Sequence, residues 1–276
     1  MDTVALERKV PDYKKWNERL NASWSCADYA RIGVTLQITG EELAEAADFR
    51  PGAHILDVAA GNGNATLAVA RRFCEVTSTD YVQPLLDKGR ARVEAEGLEA
   101  DFRIADAQDL PFADNRFDGV ISTFGAMFAP DQQATASELL RVCKPGGKIA
   151  LASWTPPGFI GRLCKLIGSH MSAAPGFQAP ANWGREEWIR EHFEPHASEI
   201  RILWKAFNFR YHSPEHYVDV FRTYYGLTRK AFEKVGPEGE KALHDDMCNL
   251  CREFDIATDG TLCAASDYAE VVIVKA

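Results

Sequence analysis

The stretch I-L-D-V-A-A-G-N-G-N-A-T at residues 55–66 decides the fold. Its apolar start, which ends in Asp57, is typical of a buried parallel strand, Gly61 and Gly63 allow a tight turn, and Asn64 can begin a helix. Glycines suit a turn in which a ligand lies against bare backbone, and the free N–H groups of a helix start favour polar or anionic ligand groups. The stretch therefore predicts a strand, a ligand-binding turn and a helix.

Strands and helices alternate after this turn. The sequence predicts strands at 54–60, 75–80, 101–106, 117–123 and 148–154, and helices at 64–73, 83–96 and 132–142. Strands separated by helices imply right-handed crossovers and a doubly wound, mostly parallel α/β sheet. Ligands bind such sheets at the carboxyl ends of the strands, and Asp57, Asp80, Asp106 and Thr123 fall at those ends.

Helical segments flank the alternating core. Residues 1–50 have an amphipathic helical pattern whose aromatic side chains suit a core better than a ligand contact, although a helix laid over the glycine turn would close it. Residues 51–276 are predicted to form the main domain, with helical cap insertions at about 156–195 and 213–262. Strands are expected at 196–209 and 268–274.

One helix is predicted over residues 214–235, in the second insertion. Its apolar stripe either packs onto the domain or lines a substrate pocket. The candidates for a general base in or beside this segment are His212, His216 and Tyr224. Histidine suits this role because it titrates near neutral pH. A histidine in such a position more often has a surface or capping role, and this is the alternative for both.

The composition of the chain limits the classes of partner that it can bind. The chain has 276 residues, 46% of them hydrophobic, and a net charge of −9 without a lysine or arginine run, which disfavours nucleic acid and anionic membranes as partners. No stretch approaches the roughly 20 apolar residues of a membrane span, and the N-terminus lacks an apolar signal core, so we expect a cytoplasmic protein. His244, Cys248 and Cys251 share a helix face but offer at most three ligands, so no metal is expected.

Four motifs in order carry a family resemblance. They are D-V-A-A-G-N-G at 57–63, T-D-Y at 79–81, A-D-A-Q-D-L-P-F at 105–112 and L-L-R-V-C-K-P-G-G at 139–147. The series resembles the class I S-adenosylmethionine-dependent methyltransferases, above all the branch that contains the ubiquinone and menaquinone biosynthesis enzymes. This resemblance implies a Rossmann-like, seven-stranded, mostly parallel sheet with an antiparallel last strand, N-terminal helices and a helical cap, and S-adenosyl-L-methionine as cofactor.

The resemblance also implies a set of cofactor-binding residues. The turn residues Asp57, Ala59, Gly61, Asn62 and Gly63 would hold the methionine end of the cofactor. Asp80 would accept from the ribose hydroxyls, as an ionised carboxylate at a strand end can; Tyr81 would pack beside the adenine; Asp106 and Ala107 would read the adenine edge; and Thr123, Phe124 and Phe128 would lie beside the sulfonium. In one departure, Ala59 stands where the family usually has glycine.

The implied reaction is in-line transfer of a methyl group to a small, partly apolar acceptor molecule. The sequence S-T-F-G at 122–125 replaces the motif of DNA amino-methyltransferases, which agrees with the acidic charge. A catalytically inactive cofactor-binding regulator or scaffold is the alternative. A nicotinamide oxidoreductase is disfavoured because Thr66 occupies the place of the third glycine of its fingerprint. Whether the protein forms a homodimer stays open.

Overall fold

The computed structural model describes residues 12–170 and 178–276, and residues 1–11 of the predicted N-terminal segment lie outside it. Its strands are β1 His54–Val58, β2 Glu75–Asp80, β3 Asp101–Ile104, β4 Phe117–Thr123, β5 Cys143–Trp154, β6 Ala197–Tyr211 and β7 Leu262–Lys275. They form one seven-stranded sheet in the order β3-β2-β1-β4-β5-β7-β6. Pairing is parallel from β3 to β5, and β7 runs antiparallel to both of its neighbours. The predicted sheet is confirmed.

Helices cover the sheet. They are α1 Tyr13–Ser25, α2 Ala30–Gly33, α3 Gln37–Ala47, α4 Asn64–Ala70, α5 Gln83–Ala95, α6 Gln132–Val142, α7 Phe159–His170, α8 Glu186–Phe193, α9 Pro214–Tyr224 and α10 Gly226–Phe254. The strand order reverses between β1 and β4, so the loops that follow these strands separate and leave a crevice. None of the helices in the described ranges combines the length and the apolar character that crossing a membrane requires.

The central strands are apolar on both faces, as a sheet between two helix layers requires. In β1, Ile55, Leu56 and Val58 are fully buried, and in β4 so are Val120 and Ile121. These strands cannot tilt or slide without exposing the core. The polar residues at their carboxyl ends are therefore held in fixed positions.

A polar cluster fastens the N-terminal helices to the far side of the sheet. Glu42 of α3 accepts a hydrogen bond from the Tyr268 hydroxyl at 3.0 Å and pairs with Lys205 of β6 at 3.2 Å. Lys205 also pairs with the buried Glu270 of β7 at 2.8 Å. The charge on Glu270 is thus compensated, and α3 is fixed beside the antiparallel strands.

The prediction of one helix over 214–235 is wrong. The first helix, α9, ends at Tyr224. The backbone of Tyr225 is extended, and a second helix, α10, begins at Gly226. A Cβ at Gly226 would lie 1.8 Å from the carbonyl oxygen of Ser23, so the second helix starts where the chain crosses α1 at close range. This contact also places α1 over the carboxyl ends of the strands. The division of the chain into a 1–50 segment and a 51–276 domain stays a prediction.

Candidate active site

The turn after β1 is held in an unusual backbone conformation. Ala59, Gly61 and Gly63 all have positive φ, at 53°, 56° and 81°. A left-handed conformation costs a residue with a side chain roughly 1–2 kcal/mol, so Ala59 carries strain that the usual glycine of the family would avoid. Nothing lies within 4 Å of the position that a Cβ at Gly61 would take. The backbone at Gly61 therefore faces open space, as a ligand cradle requires.

Two buried polar atoms in this region have no hydrogen-bond partner. Asp57 Oδ2 accepts a hydrogen bond from the Thr66 hydroxyl at 2.6 Å, but Asp57 Oδ1 is unpartnered, and so is Thr123 Oγ1. Burial raises the pKa of Asp57 to about 7. A buried carboxylate oxygen without a partner costs free energy, so this position favours a cationic or hydrogen-donating ligand group.

Asp80 stabilises the turn and retains capacity to accept. Its Oδ2 accepts from the Gly61 N–H at 2.8 Å, and its Oδ1 accepts from the Val82 N–H at 2.8 Å. Burial raises the pKa of Asp80 to about 6, although these backbone bonds oppose the shift. Each carboxylate oxygen has room for another donor. The side chain can therefore hold the turn and bind two hydroxyl groups together.

Helix α1 lies across the ends of β2 and β3. The Asn17 side-chain amide donates to Asp106 Oδ2, and the Asn21 amide donates to the Tyr81 carbonyl oxygen at 2.7 Å. Asp106 Oδ1 meanwhile accepts from the Gln108 N–H at 2.9 Å. The expectation that an N-terminal helix can close the glycine turn agrees with this placement. Asn17 and Asn21 were not predicted; their i, i+4 spacing on one face of α1 was the available signal.

The other side of the crevice is aromatic. The ring of Trp24 contacts Tyr29, Phe128 and Tyr225 at centroid distances of 5.4, 5.2 and 5.3 Å. Sequence reasoning assigned Trp24 and Tyr29 to the core, because a helical stripe alone does not show which residues face a crevice. Phe124 lies nearby with a φ of 56°, but its ring stacks on Trp154 at 3.7 Å. Phe124 therefore offers the crevice its backbone and ring edge.

These features line one pocket with about 890 Å³ of empty space, part of it open to solvent. Every predicted cofactor-binding residue lines the pocket except Gly63, which packs behind the turn, where an added Cβ would lie 3.3 Å from Gly89 Cα. Asn17, Trp24, Tyr29 and Leu36 complete the wall from the N-terminal segment.

The candidate general bases lie elsewhere. His212 and His216 line a separate groove where β6 ends and β7 begins, and the His212 N–H donates to His216 Nδ1 at 3.2 Å. Tyr224, at the end of α9, does not line the pocket either. The structure therefore does not bring these three side chains to the predicted cofactor-binding residues.

The histidine and cysteines of α10 form no metal centre in the part of the chain that the structure describes, where no three or more His, Cys, Asp or Glu side chains are grouped to hold an ion. His244 Nδ1 lies 3.8 Å from Cys248 Sγ, and Cys251 is fully buried. Burial is the first cause of the raised pKa of both thiols. These cysteines behave as small apolar side chains of the core.

Comparisons with known proteins agree with this geometry. Residues 55–147 match the family model described as a methyltransferase domain. The chain is 38% identical over 236 residues to an uncharacterised protein of Mycobacterium tuberculosis, covering 84% of this chain and 86% of that protein. It is 33% identical over 165 residues to the demethylmenaquinone methyltransferase of Thermus thermophilus, covering 57% of this chain and 75% of that enzyme.

A solved structure of a protein from Bacillus halodurans has the same fold, with a TM-score of 0.57 and 21% identity over 85% of this chain and 96% of the other. The glycine turn, the carboxylates at successive strand ends and the similarity to a named methyltransferase lead to one assignment. The chain belongs to the class I S-adenosylmethionine-dependent methyltransferases and, within them, resembles those of quinone biosynthesis.

Proposed function

We propose that this methyltransferase methylates a small, partly apolar molecule and that the pocket described above holds both cofactor and acceptor. One observation carries the proposal. Three carboxylates at or just beyond the ends of β1, β2 and β3 line the pocket, as its polar side, together with an aromatic wall of Trp24, Tyr29 and Phe128. The two sides suit two different molecules, a polar nucleoside derivative and an apolar acceptor.

The polar side fits S-adenosylmethionine residue by residue. Asp80 has free acceptor capacity for the ribose hydroxyls, and the unpartnered Asp57 Oδ1 suits the ammonium of the methionine part. Asp106 and Ala107 would read the adenine edge and Tyr81 would pack beside it, which the presence of all three in the pocket wall supports. Thr123 Oγ1 is a second buried atom that a bound ligand would satisfy. Ala59, Gly61 and Asn62 supply the backbone of the cradle.

When bound, S-adenosylmethionine supplies a methyl group already activated by a sulfonium, so alignment is what the protein must contribute most. Phe128 lines the same pocket as Thr123, and an aromatic face favours a neighbouring cation. The rest of the wall excludes water from the acceptor. His212, His216 and Tyr224 are not assigned a role, because none of them lines this pocket.

The alternative of an inactive regulator or scaffold has no observation in its favour. A cytoplasmic location, the absence of nucleic acid and membrane partners, and the homodimer stay predictions from sequence. None of them is needed for the proposed reaction.

Methyl-tritiated S-adenosylmethionine and a protein-free extract of the source organism test the acceptor class. After reaction with purified enzyme, we expect label in the fraction that an organic solvent extracts, and none with the Asp80→Ala variant. A parallel reaction would contain cellular protein and nucleic acid. Label that remains with either macromolecule and spares the small-molecule fraction would contradict the proposal.

A further inference from the structure

The last strand of the sheet, β6, presents an open edge. In the described part of the chain, β6 pairs with β7 along its length and with no other strand. The opposite edge strand, β3, has only four residues and carries Asp101 and Arg103, and both features discourage pairing with another chain. By contrast, β6 has 15 residues and contains neither proline nor glycine. Its outer N–H and C=O groups therefore offer a template for a further strand.

Apolar side chains lie exposed along this edge. Leu203 is 45% exposed and Trp204 is 53% exposed. Ile200 and Ile202 are only partly buried, and they share a face with Trp204 because alternate residues of a strand point the same way. Tryptophan is enriched at the centres of protein interfaces. The apolar face of β6 therefore favours a protein partner.

The other face of β6 carries charges of both signs. In order along the strand they are Glu199, Arg201 and Lys205, with Leu203 between the two cations. Arg201 is directed toward α3, where it donates to the carbonyl oxygen of Ala46 at 2.5 Å. An acidic residue near one end and a basic residue near the other suit an antiparallel pair of two copies, in which each strand meets its own sequence reversed.

Charge and length select one register for such a pair. A two-fold axis perpendicular to the sheet sets residues of the same face opposite each other. An axis at Arg201 or Lys205 would set that residue opposite itself, and an axis at Leu203 would set Arg201 opposite the partner's Lys205. Like charges directly opposite destabilise a strand pair. An axis at Trp204 pairs no opposite charges, and an axis at Ile200 leaves Trp204 opposite no residue of β6.

An axis at Ile202 suits both faces. It sets Glu199 opposite the partner's Lys205 on the charged face, and two-fold symmetry makes this pair twice. On the apolar face it sets Ile200 opposite the partner's Trp204, also twice, with the two copies of Ile202 between them. Pairs of opposite charge and pairs of an aromatic with a β-branched side chain both stabilise neighbouring strands.

We propose that the chain forms a two-fold dimer in which the β6 strands of two copies pair antiparallel about Ile202. The two seven-stranded sheets then become one continuous sheet. No residue of β6 lines the cofactor pocket, so the dimer leaves that pocket accessible. The dimer and the proposed methyl transfer can therefore fail independently.

Sedimentation velocity over a wide range of protein concentrations tests the dimer. We expect a species of twice 30.6 kDa. Trp204→Ala should raise the dissociation constant of the dimer by at least about tenfold, because a central tryptophan is removed from both copies. Ile256→Ala is the matched control, since Ile256 is 62% exposed but lies outside β6, and it should leave the constant unchanged. Circular dichroism checks that both variants fold.

A wild type that stays monomeric at every concentration would leave the edge to a strand of another protein and would overturn the proposal. A dimer that Trp204→Ala does not weaken would also overturn it, because the two copies would then meet at another surface.

Cysteine cross-linking tests the register. The Cα atoms of residues directly opposite each other lie about 4.5–5.5 Å apart, within reach of a disulfide, whereas diagonal neighbours lie about 7–8 Å apart. Ile202→Cys should therefore give a disulfide-linked dimer under mild oxidation. Leu203→Cys should not, although Leu203 is the more exposed position. The wild type controls for the native cysteines, and cross-linking of neither variant, or of Leu203→Cys as readily as Ile202→Cys, would overturn the proposal.

Discussion

The two sides of the pocket are built in different ways. The polar side comes from residues 57–107, where three successive strands end at one edge of the sheet. The glycine turn forms part of this wall of the pocket. The aromatic side consists of Trp24, Tyr29 and Phe128. Tyr225 packs against Trp24 without lining the pocket, and packing of α1, α9 and the loop after β4 brings these rings together. A cofactor that all members of the family share requires the polar side to stay the same. The aromatic side can differ between members that methylate different acceptors.

The comparison predicts that, on the polar side, substitution of Asp80 causes the largest loss of cofactor affinity. Asp80→Ala should weaken S-adenosylhomocysteine binding by about 1.5–3 kcal/mol, or roughly 10- to 150-fold, because it removes charged acceptors from the ligand and from the turn. Calorimetry measures the affinity, and thermal unfolding checks that the variant folds. Asp101→Ala, at the exposed start of β3, is the control. Unchanged affinity in Asp80→Ala would remove the ribose-binding role.

The polar side should also give a pH dependence that the aromatic side lacks. The folded apo protein keeps a proton on Asp57 up to about pH 7, whereas the unfolded chain loses it near pH 4. The stability that this proton provides is complete below about pH 4 and is lost as the pH rises to about 7.

Binding of a ligand ammonium needs the ionised carboxylate. Affinity for S-adenosylhomocysteine should therefore rise by up to about tenfold per pH unit as the pH approaches 7, and then level off. Calorimetry between pH 5.5 and 8 tests this, and Asp57→Asn should leave only the weaker dependence that Asp80 contributes near pH 6. A wild-type affinity that does not change over this range would contradict the assignment of Asp57 to the ammonium.

Helix α1 joins the two sides, because Asn17 contacts Asp106 and Trp24 belongs to the aromatic wall. Asn17→Ala should weaken S-adenosylhomocysteine binding by about 1 kcal/mol, since one hydrogen bond that closes the helix over the pocket is lost. Hydrogen exchange should show faster exchange of α1 amides in the same variant. Asn249→Ala, on the exposed face of α10, should change neither quantity. Normal protection of α1 in Asn17→Ala would show that the helix is held by other contacts.

The smallest effect is expected at the strained turn. Ala59→Gly should raise the free energy of unfolding by about 0.5 kcal/mol, because relief of the left-handed strain of roughly 1–2 kcal/mol exceeds the added chain entropy of about 0.5–1 kcal/mol. Gly61→Ala, its matched opposite, should lower stability and crowd the ligand cradle. Denaturant unfolding measures both variants. A stabilised Gly61→Ala would contradict the assignment of backbone strain to this turn.

The strands that carry the polar side could be predicted from the sequence, because the patterns that determine them lie within short stretches of the chain. Strands β2 and β4 and helix α6 begin and end at the predicted residues. Strand β7 was predicted only at 268–274, whereas it runs from Leu262 to Lys275, because the long strand β6 pairs with it along its whole length. Local apolar pattern could not show this extension.

The aromatic side could not be predicted in the same way. The helix at 214–235 is broken at Tyr225 because Gly226 passes against α1, a contact between residues some 200 positions apart. Trp24 and Tyr29 have the same helical spacing whether they face the core or a crevice, so only their packing against Phe128 and Tyr225 reveals the wall. The aromatic wall therefore depends on contacts between residues that are far apart in the sequence.

The measurement that tests the central claim most directly is calorimetry of the purified protein with S-adenosylhomocysteine, with NAD titrated in parallel. We predict micromolar binding of S-adenosylhomocysteine and no binding of NAD, because Thr66 replaces the third glycine of a dinucleotide fingerprint while Asp57, Asp80 and Asp106 line the pocket. Binding of NAD without S-adenosylhomocysteine, or of neither, would contradict the account of this pocket as a methyl-donor site.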